Sequence, residues 1–157
     1  MPAEKPPSNN RTVDQMYRNI LVPTDGSDGA QLALEHAIAI AKAFNGTIHA
    51  MSVDEGAGST QRDQLRTDAE ELAEKATEEA AQRAESNNVP VTISVQSGSA
   101  EQAIMRYAEE TDIDLIVMGT HGRTGIKNII FGSVAEDTVR NSPVPVMTVQ
   151  PPEDVSE

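Results

Sequence analysis

Between Val117 and Val134 the chain reads Val-Met-Gly-Thr-His-Gly-Arg-Thr-Gly-Ile-Lys-Asn-Ile-Ile-Phe-Gly-Ser-Val, residue types suited to holding an anion. Gly119, Gly122 and Gly125 follow a largely apolar run from Ile113 to Met118, and Gly132-Ser133 opens a helical pattern. Glycines let backbone N–H groups approach a phosphate with no Cβ in the way. The N–H groups and dipole at a helix N-terminus favour negative charge. A strand, a glycine-rich loop and a helix start therefore read as a phosphate cradle. The spacing is neither Gly-x-x-x-x-Gly-Lys-Ser/Thr nor Gly-x-Gly-x-x-Gly. Ser133 and Glu136 also fit a capping box, which would satisfy the same N–H groups without a ligand.

Around the cradle, Arg123 and Lys127 could neutralise phosphate charge, Arg123 more directly because it adjoins Gly122. Asp25 follows the first apolar run. Its carboxylate could accept bonds from ribose hydroxyls or an adenine edge, help hold a metal, or cap the next helix. His36, His49 and His121 are scattered without partner spacing, which favours surface or core roles over metal ligation or base catalysis. No Ser-His-Asp or paired-carboxylate arrangement stands out, so no catalytic residue is assigned. Enzymatic turnover stays open, with binding favoured.

The elements that must position these residues follow from pattern. Arg18 to Thr24 is a first strand, ended by Pro23 and the turn Asp25-Gly26-Ser27. A helix runs to Asn45, with Ala30, Leu34, Ala37, Ile38 and Ala41 on one face. Thr47 to Val53 is a second strand. Gln61 to Ser86 is a long acidic helix with a narrow stripe of Leu65, Ala69, Leu72, Ala73, Ala76 and Ala80. Val91, Ile93 and Val95 alternate as a half-buried strand does. Ser99 and Gln102 fit a capping box for a helix through Glu110. Ile113 to Met118 reads as a central parallel strand, covered on both faces. Val144 to Val149 is the last strand, and Pro143 and Pro145 place it at a sheet edge. The βαβαβαβαβ order predicts one α/β domain with a parallel sheet.

With 157 residues a single domain is expected. Residues 1–16 read as a polar, disordered tail, 17–150 as the folded domain and 151–157 as an acidic tail. The absence of cysteine excludes disulfides and thiol chemistry. No apolar run approaches bilayer length, and the polar start is not a signal peptide, so a cytoplasmic protein is expected. Asp and Glu total 25 against 12 Lys and Arg, a net charge of −13 that repels nucleic acid and anionic membranes. Together with scarce lysine and small core residues, that excess reads as halophilic adaptation.

Gly119-x-x-Gly122, nine residues, then Gly132-Ser133 resembles the nucleotide-binding signature of the universal stress protein family. Ile20-Leu-Val-Pro-Thr-Asp-Gly-Ser27 and Ser142-Pro-Val-Pro-Val146 match in the same order, and the likeness spans Tyr17 to Gln150. The resemblance implies a Rossmann-like, adenine nucleotide alpha hydrolase-like sheet of five strands ordered 3-2-1-4-5, with helices on both faces. Ligands in such sheets bind where the strand order reverses, here between the first and fourth strands. It further implies ATP, with or without Mg, held by Pro23, Thr24, Asp25, Val53, Met118, Gly119, Gly122, Arg123, Gly132, Ser133 and Val134. The Val53 backbone would meet adenine. A stress-response homodimer joined through the last strand at Val144, Val146 and Val149 is implied too. Two alternatives stand beside this binding module: a slow ATP hydrolase or adenylyl transferase, and a nucleotide-independent protein-interaction module.

Overall fold

The computed structural model describes residues 11–55, 63–121 and 132–151, with side chains described in all of these but 63–67. Among them the sequence folds into β1 (Asn19–Pro23), α1 (Asp28–Phe44), β2 (Thr47–Asp54), α2 (Asp63–Ser86), β3 (Val91–Ser97), α3 (Ala100–Glu110), β4 (Leu115–Gly119), α4 (Ser133–Asn141) and β5 (Val146–Val149). The five strands form one parallel sheet in the order β3-β2-β1-β4-β5. The expected topology and reversal point are therefore present, and β5 lies at an edge as its prolines require.

Two apolar layers clamp the sheet. Ile20, Val22, Ile48, Ala50 and Val117 pack against Ala33, Leu34, Ala37, Ile38 and Ala41 of α1 and Ala80 and Ala84 of α2. On the other face Leu21, Met51, Ile116 and Met118 pack against Ala103, Ile104 and Ala108 of α3 and Ala135 of α4. Alanine stripes let the helices approach the sheet closely, so a core with no tryptophan still excludes water from β1 and β4. Val149 belongs to the first layer. Its side chain is buried there, while Met147, two residues earlier on the same face, is 38% exposed.

Other details depart from the sequence pattern. Ile93 is 47% exposed and Val95 41% exposed, so the alternation in β3 does not mark a half-buried face. That strand is the outermost, and α2 covers its inner side with small residues. Val144 precedes β5; its N–H donates to Ser142 Oγ at 3.1 Å and its carbonyl accepts from the same hydroxyl at 2.7 Å.

At the amino ends of the strands, residues expected in a disordered tail are structured. Val13–Gln15 form a 3-10 turn, and the Arg11 guanidinium pairs with Asp114, both side chains nearly inaccessible. Asp114 also accepts from the backbone N–H groups of Arg18 and Asn19 at 3.1 and 2.9 Å. A charge-assisted anchor of this kind holds the segment before β1 against the sheet. Residues 1–10 and 152–157, the rest of the two expected tails, lie outside the described residues.

Candidate functional site

Beyond the carboxyl ends of β1 and β4 lies an open cleft of about 650 Å³. Its lining contains Pro23, Thr24, Asp25, Val53, Met118, Gly119, Gly132, Ser133 and Val134. The fold thus gathers residues more than a hundred positions apart in sequence at the reversal point. The remaining predicted residues, Gly122 and Arg123, lie outside the described residues, as do Gly125 and Lys127.

Local chemistry explains how each wall is built. Gly26 takes φ 80°, a left-handed conformation that suits glycine and turns the chain sharply after β1. Asp25 Oδ1 accepts from the Ser27 N–H at 2.9 Å, and Thr24 Oγ1 accepts from the Gly26 N–H at 3.1 Å. Ser27 then caps α1 by accepting from the Ala30 N–H at 3.3 Å. Asp25 is thereby held at the cleft with its side chain fixed by the turn. Opposite, the buried Thr120 links three elements. Its N–H donates to Val149 at 3.2 Å, and its carbonyl accepts from the Gly132 N–H at 2.6 Å.

The two glycines play different parts. A Cβ on Gly119 would stand 3.0 Å from the Gly29 carbonyl carbon and 3.3 Å from the Ala30 nitrogen. Gly119 therefore lets the start of α1 lie against the end of β4, backbone on backbone. Gly132 is the N-cap of α4 with φ −75° and ψ 168°, which any residue adopts. No positive φ demands glycine there. A Cβ would only touch the Thr120 carbonyl at 3.4 Å.

The capping box expected from Ser133 and Glu136 does not form. Gly132 takes the N-cap position, which moves Ser133 into the first helical turn. Glu136 turns instead to Arg140, 3.0 Å away. Among the described residues no side chain caps α4, whereas serines cap both α1 and α3. An uncapped N-terminus opening on a cleft can take an anionic ligand in place of a side chain.

Pattern reading missed the far walls. Ala69, Leu72 and Ala73 of α2 and Ala100, Glu101 and Ile104 of α3 line the same cleft, with Glu55 after β2. Leu72 is half-exposed, not buried in the stripe where its spacing placed it. The missed signal was that both helices start at the carboxyl edge of the sheet, where their first turns must flank the reversal point. His121 lines the cleft and approaches Thr120 Oγ1 at 3.5 Å, while His36 is exposed and His49 is buried at the opposite end. Among the described residues no cluster of three or more His, Asp or Glu could hold a metal, and no helix is long and apolar enough to cross a membrane.

Residues 16–150 match the universal stress protein family. Universal stress protein MJ0531 of Methanocaldococcus jannaschii is 34% identical over 152 residues, covering 90% of this chain and 87% of that one. The chain belongs to the universal stress protein family. In structure it is similar to MJ0577 of the same organism, with TM-score 0.74 and 28% identity over 88% of this chain and 99% of that one. It is also similar to a universal stress protein solved in complex with cAMP, with TM-score 0.66 and 25% identity over 86% of this chain and 98% of that one.

Proposed function

We propose that this protein binds an adenine nucleotide, ATP in the first instance, in the cleft between β1 and β4, and that occupancy regulates its partners in a stress response. The observation that carries the reading is the uncapped start of α4 opening onto a cleft that Asp25 and Val53 also line. The cAMP complex of a related protein supports the adenine assignment. Phosphates would lie against Gly119, Gly132 and Ser133, with Gly122 and Arg123 added from the glycine loop. Ribose would meet Asp25, and adenine would meet Val53, with Pro23, Thr24, Met118 and Val134 closing the slot.

Asp25, Glu55 and Glu101 stand on the cleft walls without forming a metal-holding cluster among the described residues, which suits Mg2+ held chiefly by phosphate oxygens and water. Such an ion would add charge neutralisation. Turnover would need a placed base, and His121 is the one imidazole at the cleft among the described residues. Mass analysis of ligand released from the purified protein tests the proposal directly. An adenine nucleotide is expected, and an empty protein that binds neither ATP nor AMP by calorimetry overturns it.

We further propose a cytoplasmic homodimer paired along β5, whose outer edge has no partner strand among the described residues. Val144, Val146 and Val149 would stand along that seam. Light scattering showing a strict monomer in molar salt, where repulsion between acidic copies is screened, would sink it. The acidic excess is proposed as salt adaptation, testable as a rise in melting temperature between dilute buffer and molar KCl.

A further inference from the structure

The opposite edge of the sheet presents a second surface. Seven residues, Val91–Ser97, run along it without a single charge. Ile93 and Val95 stand 47% and 41% exposed on the same face, and no described strand pairs with their outer side. Natural edge strands are blunted by lysine, proline, bulges or short length, because an open ladder of N–H and C=O groups templates further pairing. By contrast β5 has four residues and is preceded by Pro143 and Pro145. β3 is preceded by Pro90, but its seven residues hold no lysine, proline or break in register, in a chain where charged residues are 24% of the whole.

The helix above this edge says what could cover it. On α2, Ala73, Thr77, Ala80 and Ala84 are buried against the sheet, and Glu79 and Arg83 lie on the flank facing α1, where Arg83 pairs with Glu35. Helical spacing then puts the exposed Glu70, Glu74 and Glu85 on the other flank, over β3. An added strand would therefore lie beside Ile93 and Val95 and beneath a row of carboxylates. Lysine or arginine at alternate positions meets both demands: the methylene stem covers the apolar side chains while the charged head reaches the glutamates. A second copy of this chain does not fit, because its own β3 has no cation and pairing would oppose two acidic helices.

We propose that β3 is a docking edge for an extended basic segment of another protein, bound by strand addition. The test uses a capped peptide alternating lysine and valine, measured by fluorescence anisotropy against the full chain in low and high salt. Binding is expected, with loss when glutamate replaces lysine in the peptide or proline interrupts its centre. Ile93→Lys should weaken binding by about tenfold or more, through like charge set opposite the incoming lysines. Because Ile93 is exposed, the variant should keep its circular dichroism; Ile93→Thr, which retains strand preference, should weaken binding less. Absence of binding overturns the proposal, as does a peptide indifferent to Ile93→Lys or to the central proline, which would mark diffuse attraction to an acidic surface. Self-association in sedimentation that Ile93→Lys abolishes overturns it in favour of a second copy.

Discussion

The two ends of the sheet answer opposite demands. At the amino end every polar group with a described role meets another: Arg11 pairs with Asp114, Asp114 accepts from two backbone N–H groups, and His49 lies between Asn19 and Tyr107. At the carboxyl end a helix starts without a side-chain cap among the described residues, over a cleft whose walls come from β1, β2, β4, α1, α2, α3 and α4. Internal satisfaction fixes the fold, because buried polar groups are costly to leave unpaired. A helix start left open at the other end is a place where a ligand can complete the structure.

The sharpest way to break this contrast is to attack the closed end. Asp114→Ala should destabilise the protein by about 3–5 kcal/mol, since it strands a buried guanidinium and two backbone donors. Urea unfolding measures the loss. Nucleotide affinity of the folded fraction should be unchanged, and a loss below about 1 kcal/mol would mean water replaces the carboxylate at little cost.

At the open end the two glycines should separate. Gly132→Val should abolish nucleotide binding with the fold intact, because its side chain would stand at the mouth of α4 while its backbone angles suit any residue. Gly119→Ala should instead lower stability by about 1–3 kcal/mol, since its Cβ presses on the backbone of Gly29 and Ala30. Calorimetry and thermal unfolding of both variants decide the matter. If Gly132→Val binds ATP like the parent, the glycine loop is only a turn.

Smaller changes sharpen the division of the cleft. Ser133→Ala should weaken ATP by roughly tenfold to a hundredfold, the worth of one hydroxyl bond to a charged phosphate, and leave adenosine alone. Asp25→Ala should weaken adenosine and ATP alike, because its proposed partner is the ribose. Calorimetry of ATP, AMP and adenosine against each variant checks both, and reversed selectivity would exchange the two assignments.

How much of this could be seen in the sequence follows the range of the interactions. Turn and cap chemistry is local, so Asp25-Gly26-Ser27 and the start of α1 were legible, and alternation of strand and helix gave the sheet. The cap of α4 depended on which of two neighbours took the N-cap position, a shift of one residue that no propensity resolves. Asp114 interrupts an otherwise apolar run, and that interruption was the visible trace of the Arg11 pair, although its partner is 103 residues away. Burial of β3 was misread because alternation reports which face a side chain takes, not whether a helix covers it.

The smallest effect concerns His49, and it tests whether the closed end is closed to protons. Asn19 Oδ1 can only accept, so His49 Nε2 carries the hydrogen, at 3.0 Å, and Nδ1 accepts from the Tyr107 hydroxyl at 2.9 Å. Neutral imidazole satisfies both neighbours, and burial lowers the His49 pKa below its ordinary value, with partial opposition from the Asp114 charge. The folded state therefore binds fewer protons than the unfolded state between the folded pKa and the unfolded value of about 6.5. Stability in that window rises with pH. The contribution is fully present above about pH 6.5 and is lost as pH falls toward the folded pKa. His49→Gln, which offers one donor and one acceptor without titrating, should flatten the pH dependence of the melting temperature in this window. Proton NMR titration of the imidazole in the parent gives the folded pKa independently. A value at or above the ordinary histidine range would show that the Asp114 charge outweighs burial, and that the amino end stores a proton instead of excluding one.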